Sequence, residues 1–227
     1  MARIYITGDI HGNPMRLSYK KFPEGRELTA EDFVIIAGDF GIIWARKPDR
    51  EELYKLKWLE ERPWTTLFID GNHENFERLN SLPIEEKFGG KVGIVRKNVF
   101  HLKRGEIYDL AGQSFFCFGG AMSLDRDWRV SGVSYWEEEV PNCAEMDYGL
   151  EQLNKVNNKV DYVISHAPPL ALLKVLNGEE RLIDPTAKYL DHVANMTSFK
   201  KWYFGHMHVD KDMLKYKCLF QAIDRII

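Results

Sequence analysis

Five short segments of the chain carry side chains of the kinds that bind borderline metal ions: GDIHG at 8–12, GDFG at 38–41, GNHE at 71–74, SHAPP at 165–169 and GHMH at 205–208. They hold five of its seven histidines, two aspartates and an asparagine. Imidazole mixed with carboxylate and amide oxygen suits Mn, Fe, Zn or Ni, whereas Mg and Ca prefer shells of oxygen alone. Asp9 and His11 stand two apart on one turn, so both can reach a cation from the same side. Asp39 offers two oxygens and can bridge two ions. Asn72 adds a carbonyl oxygen without negative charge, which suits an anionic substrate. Taken singly, each segment reads better as a capped, satisfied turn at a strand end. Jointly, Asp9, His11, Asp39, Asn72, His73, His166, His206 and His208 describe a site for two metal ions. Such ions, about 3.5–4 Å apart, can hold a hydroxide between them and clamp a phosphoryl group.

Each segment follows an apolar run and is marked by glycine or proline, the pattern of a strand delivering polar residues at its C-terminal end. The spacing predicts strands over 3–7, 33–37, 65–70, 160–164 and 201–204. Helices are expected over 14–20, 50–61, 75–80, 144–157 and 185–196, the last within a stretch that starts at 170. The first half alternates strand and helix, as parallel crossover units do. From 91 to 119 short β-rich pieces (VGIV, VFHL, GEIYDL, SFFCFGG) suggest a second, more antiparallel sheet, and 211–227 reads as a final hairpin region. Residues 120–143 have no clean period, and a loop of that length in a compact domain is usually functional. The segments span residues 8 to 208, so a domain boundary would cut through one site; a single domain over 1–227 is expected.

A net charge of -3 supplies no basic stripe, so charge does not argue for nucleic acid, although a local field can differ from the sum. Three cysteines without a Cys-x-x-Cys fit a reducing compartment. No apolar run approaches the ~20 residues of a membrane span, and residues 3–7 already read as a strand, so a cytoplasmic location is expected.

The ordered set GD-x-HG, GD, GNHE, H and GH-x-H resembles the calcineurin-like metallophosphoesterase superfamily, over almost the whole chain. From GNHE through FGGA and the aromatic loop, the chain is similar to small metallophosphatases of Gram-positive bacteria and their phages. The resemblance implies an α/β (α+β) fold of two mixed β-sheets packed as a sandwich flanked by helices. It implies that Asp9, His11 and His208 bind a first metal and Asn72, His166 and His206 a second, with Asp39 bridging. His73 would stabilise developing charge or protonate the leaving oxygen. The implied reaction is in-line attack by a metal-bridging hydroxide on a phosphate ester, with no phosphoenzyme. Two divalent transition metals are the expected cofactors, Mn for activity in vitro, with Fe, Zn or Ni as alternatives.

Two departures shape the expected substrate. Relatives often carry a further Asp three positions after the second motif's Asp; here that position is Ile42, leaving Glu74 or Asp70 to stand in as the carboxylate neighbour of His73. The Ser/Thr protein phosphatase branch places Arg directly before GNHE, where this chain has Asp70, a carboxylate that would repel a phosphomonoester dianion unless it points away. Phosphate grip then falls to Arg126 or Arg129, whose forks match phosphate oxygens, against the simpler reading of solvated loop arginines. Trp128, Tyr135 and Trp136 would stack on a base or pin the loop to the core, and Glu137–Glu139 reads as a solvated face. A phosphodiester, nucleotide-like substrate is therefore slightly favoured over a phosphomonoester or phosphoprotein. A catalytically weak, protein-binding scaffold is the rival from another class, and the intact ligand set argues against it. His101 and His192 read as structural, and Asn13 as a helix cap before Pro14 or a phosphate contact.

Overall fold

The computed structural model describes residues 2–177 and 184–227. Its frame is two sheets. In the first, β1 (Ile4–Thr7), β2 (Phe33–Ile36) and β3 (Thr65–Phe68) run parallel and are buried on both faces, which is why their sequences are near-continuous apolar runs. The strand β4 (Ile84–Lys87) forms a hairpin with β5 (Gly90–Arg96) through Phe88 and Gly89, both at positive φ. β5 pairs antiparallel with β6 (Val99–Leu102), and β6 lies parallel to β3. In the second sheet, β7 (Ile107–Leu110) pairs antiparallel with β8 (Gln113–Phe118), which runs parallel to β9 (Tyr162–Ser165) and so to β10 (Lys201–Phe204). The edge is the hairpin β11 (Lys211–Met213) and β12 (Tyr216–Cys218), and β13 (Ile223–Arg225) returns to pair antiparallel with β1. The strand orders are β13-β1-β2-β3-β6-β5-β4 and β11-β12-β10-β9-β8-β7.

Alternation along these strands separates three layers of core, because successive side chains leave a strand on opposite faces. Ile4, Ile6, Ile35, Leu67, Phe115, Cys117 and Ile164 meet between the sheets. Tyr5, Val34, Ile36 and Phe68 face outward to helix α1 (Arg50–Glu60) and Trp64. Phe116, Phe118, Val163 and Phe204 face the opposite flank, covered by α3 (Cys143–Lys155) and α5 (Pro185–Met196). The short helix α2 (Phe76–Asn80) follows GNHE, and α4 (Leu170–Asn177) follows SHAPP. The two mixed sheets with flanking helices are the sandwich that the motifs imply.

Several elements differ from the sequence reading. Residues 14–20 form only one 3-10 turn, Pro14–Leu17, which Asn13 caps and from which Ser18 leaves in extended conformation. The change of texture at 91 does not open a new sheet: β5 and β6 extend the first, and only β7 and β8 enter the second. That second sheet is parallel through its centre and antiparallel only at its edges. Part of the stretch from 170 to 185 lies outside the described residues. Glu139 is fully buried rather than on a solvated face. Among the described residues no helix is long and apolar enough to cross a membrane. Cys117 and Cys218 are buried and Cys143 exposed, all as free thiols.

Candidate metal centre

The parallel strands β1, β2, β3, β9 and β10 end at the same rim, and the five turns leave them there. The turns brace one another through backbone. Ile10 and His11 N–H donate to the Asp39 carbonyl at 3.1 and 2.9 Å, and Gly205 N–H donates to the His166 carbonyl at 3.1 Å. His11, Asp39, His206 and His208 all adopt positive φ (43, 46, 64 and 50°), a conformation that costs non-glycine residues about 1–3 kcal/mol each and concentrates at functional sites. Glycine is required at 38, where a Cβ would overlap the His166 ring. Behind His166, buried Trp202 donates from Nε1 to Ser165 Oγ at 2.8 Å, and Ser165 in turn donates to the Ala167 carbonyl at 2.6 Å.

Asp9, His11, Asp39 and His208 bring one ligand atom each to within 4.8 Å of one another, a set that could hold one metal ion. His11 Nε2 and His208 Nε2 are 2.9 Å apart, and Asp9 Oδ2 is 3.1 Å from His208 Nε2. The other Asp9 oxygen accepts the His206 N–H at 3.0 Å. A second group lies beside the first: His166 Nε2 is 3.2 Å from Asn72 Oδ1 and 3.3 Å from Asp39 Oδ1, with the His206 ring 5.0 Å from that of His166. His166 Nδ1 is 3.0 Å from the Ala37 carbonyl, so its N–H belongs there and Nε2 is left to face the carboxylate and the amide oxygen.

Asp39 spans both groups. Its Oδ1 accepts the His73 N–H at 2.8 Å and faces His166; its Oδ2 is 3.7 Å from His11 Nε2, buried, and without a hydrogen-bond partner. A buried carboxylate oxygen lacking a donor costs on the order of 1–3 kcal/mol or more, and a cation in contact with it removes that cost. The titration behaviour points the same way. Burial opposes charge on both Asp39 and His166, yet each charge sustains the other: Asp39 is held well below the usual carboxylate range and His166 is raised to about 10. The converging acceptors demand positive charge at this spot, which a proton or a metal ion can supply. Burial and the charge of His166 push His206 down to about 4, leaving a neutral imidazole of the kind that ligates metals. The donors present thus fit divalent cations.

His73 lies at the mouth of the site, its ring edge-on to His11 at 5.0 Å and roughly parallel to Trp44 at 6.0 Å. Burial lowers its pKa; the Asp39 charge opposes this and the Arg129 charge adds to it. Arg129 Nη2 is 3.4 Å from His73 Nε2, whereas Arg126 is turned to Glu137 and Glu139 and stacks over Tyr135. The structure therefore brings Arg129, not Arg126, to the site. Neither carboxylate expected beside His73 is there. Glu74 accepts the N–H groups of Phe40 and Gly41 at 2.7 and 3.2 Å, supporting the Asp39 turn. Asp70 points away, held by Arg104 and by His101 Nε2 at 3.0 Å, so it exerts none of the direct repulsion inferred from its position before GNHE. His101 is structural, as expected. Trp136 packs on Trp44, while Trp128 is 90% exposed, and Leu124, Val130 and Val133 of loop 120–143 are exposed as well, which the sequence did not reveal.

Sequence reasoning also missed Arg16, whose guanidinium donates to the Asp9 carbonyl at 2.6 Å, and Ser123, which accepts from Asn72 Nδ2 at 3.1 Å. Neither stands in a motif, and only tertiary contact shows either. A cavity of about 350 Å3 opens beside His11 and His73, walled by Ile42, Trp44 and Ala45 and rimmed by Asp49, Glu51 and Lys55. Comparison with curated proteins finds no match. The family model for calcineurin-like phosphoesterases matches residues 2–210, a range that contains all five turns. With that match and a cluster suited to cations, the chain belongs to the calcineurin-like phosphoesterase family and is a metal-dependent phosphoesterase.

Proposed function

We propose that the chain is a two-cation hydrolase of phosphodiesters with a nucleotide-like group. Asp9, His11 and His208 would hold one divalent cation and Asn72, His166 and His206 the other, with Asp39 shared. The observation that supports this most directly is the Asp39 carboxylate, one oxygen toward His166 and the other, unpartnered, toward His11. Divalent cations held there would supply an activated water and neutralise charge on the phosphoryl oxygens; Mn2+ is the first choice in vitro.

The chain's own residues divide the remaining work. Arg129, anchored through Nε by Asp125 at 2.8 Å and through Nη1 by the Ser134 carbonyl at 3.1 Å, is placed to give Nη2 to a phosphate oxygen beside His73. An anion between Arg129 and His73 would relieve the opposition of guanidinium and imidazole, raise the proton affinity of His73 and ready it to protonate the leaving oxygen. The cavity walled by Trp44 and Ile42 offers room for a second ester substituent, which a monoester would leave empty. At its rim Glu51 is paired with Lys55 at 2.6 Å, and Asp49 accepts the Glu52 N–H at 2.8 Å as the cap of α1, so the rim offers no unpaired cation to a further dianionic group. Arg129 beside His73 favours the second reading, a phosphomonoesterase, because a dianion would gain most from it. Hydrolysis of bis-(4-nitrophenyl) phosphate beside 4-nitrophenyl phosphate, in Mn2+, separates the two. Faster diester cleavage is the expected result; faster monoester cleavage would reverse the assignment, and no turnover with two cations bound would favour a binding scaffold.

A further inference from the structure

Asn72 can present either end of its amide to the second group of ligands, and only the oxygen end is useful to a cation. Its Oδ1 faces His166 because Nδ2 donates to Ser123 Oγ at 3.1 Å. A serine hydroxyl has one proton. Ser123 gives that proton to Glu139, with Oγ 2.9 Å from Glu139 Oε2, so toward Asn72 it has only a lone pair to offer. Glu139 is itself fixed. It is fully buried, which raises its pKa; against that, its Oε1 accepts the Ser123 N–H at 2.8 Å, its Oε2 accepts the Ser123 hydroxyl, and Arg126 Nε lies 3.1 Å from Oε1, contacts that all favour the carboxylate. Ser123 and Glu139 both lie in the segment 120–143, far from GNHE in sequence.

We propose that Ser123 and Glu139 are positioning residues for the second cation: Glu139 commits the Ser123 hydroxyl to accept from the Asn72 amide, and this turns Asn72 Oδ1 toward His166 and Asp39. The proposal rests on the two-cation reading above. It makes the loop 120–143 part of the metal centre without lending it a ligand. It also makes a sharp chemical demand. In Glu139→Gln the side-chain amide keeps one oxygen to accept from Ser123 N–H and puts an NH2 against Ser123 Oγ. The hydroxyl proton is then turned toward Asn72, which must present Oδ1 to it and Nδ2 to the cation.

The test is Mn2+ titration by calorimetry, with bound metal counted by elemental analysis, on the wild type, Asn72→Ala, Glu139→Gln, Ser123→Ala and Ser123→Thr, and with thermal melting of each without metal. The wild type binds two Mn2+, and Asn72→Ala loses the weaker or stronger of them selectively. Glu139→Gln and Ser123→Ala weaken that same ion by about 10–100-fold, the usual effect of an outer-shell partner. They leave the other ion in place, and Ser123→Thr restores binding because it keeps the hydroxyl. Wild-type affinity for both ions in folded Glu139→Gln, or equal weakening of both, would overturn the proposal. If Glu139→Gln does not fold, the Ser123→Ala and Ser123→Thr pair decides: equal affinities would overturn it. A wild type that binds fewer than two ions would overturn the two-cation reading instead.

Discussion

Asp39 combines a left-handed backbone, a buried carboxylate and an oxygen with no donor, three costs at one residue that a cation can offset together. Asp39→Asn keeps the volume and removes the charge. Turnover of bis-(4-nitrophenyl) phosphate is expected to fall by more than the ~10–100-fold typical of an outer residue, with both ions weakened in titration; unchanged turnover would remove Asp39 from the site. Arg129→Ala is expected to lower kcat/KM by about 10–100-fold, the loss of one charge-assisted contact of about 1.5–3 kcal/mol. An unaltered kcat/KM would return Arg129 to a structural role. At this scale the residues that converge on the candidate site were legible in the motifs, because their types and order are chemical. Which arginine meets His73 was not, since Arg126 and Arg129 stand three apart on the same irregular loop and differ only in what surrounds them.

The elements around the site are joined by a buried ion pair. Asp70, just past β3, meets Arg104, from the turn between β6 and β7, and Arg104 reaches Glu145 in the first turn of α3 and the Glu138 carbonyl of loop 120–143. Burial opposes the charge on Asp70, but Arg104 and His101 hold its pKa well below the ordinary carboxylate value. Removing one partner strands the other: Arg104→Met is expected to cost about 3–5 kcal/mol in urea unfolding, against less than half that if the pair were solvated. In the sequence, Asp70 stands directly before GNHE, where it would repel a phosphomonoester dianion unless it points away. A strand alternates its side chains, but the turn that follows has no such period, and only the position of Arg104 decides which way Asp70 points.

Over the whole molecule, cations and pH provide the tests. Saturation at 100 times Kd adds about 2.7 kcal/mol per cation, or roughly 5–10 °C in Tm for a chain of this size. Chelation is therefore expected to lower Tm in the wild type and leave that of Asp39→Asn nearly unchanged in a melting scan. Far from the site, Asp32 ties β1 to the start of β2. Burial would raise its pKa, but Arg3 and the N–H groups of Arg3 and Thr29 outweigh it and hold it at about 2, against 3.8. The folded state thus holds the Asp32 proton more weakly than the unfolded state. About 2 kcal/mol of stability is present above pH ~4 and is lost as the pH falls through about 2. Asp32→Asn should flatten that acid limb in denaturant titrations; an unchanged limb would show that Asp32 is not its source.

From its sequence alone this chain determined the strand ends and the types and order of the candidate ligands, because apolar runs, glycine turns and metal donors are properties of single residues and short spacings. That was enough to expect the sandwich and a phosphoesterase. Tertiary structure decided the rest: that β13 returns to β1, that Asp70 faces Arg104, that Arg129 meets His73, and that Ser123 turns the Asn72 amide. Each of these joins residues distant along the chain, where the deciding quantity is which partner satisfies a buried polar group, and no local pattern encodes that choice.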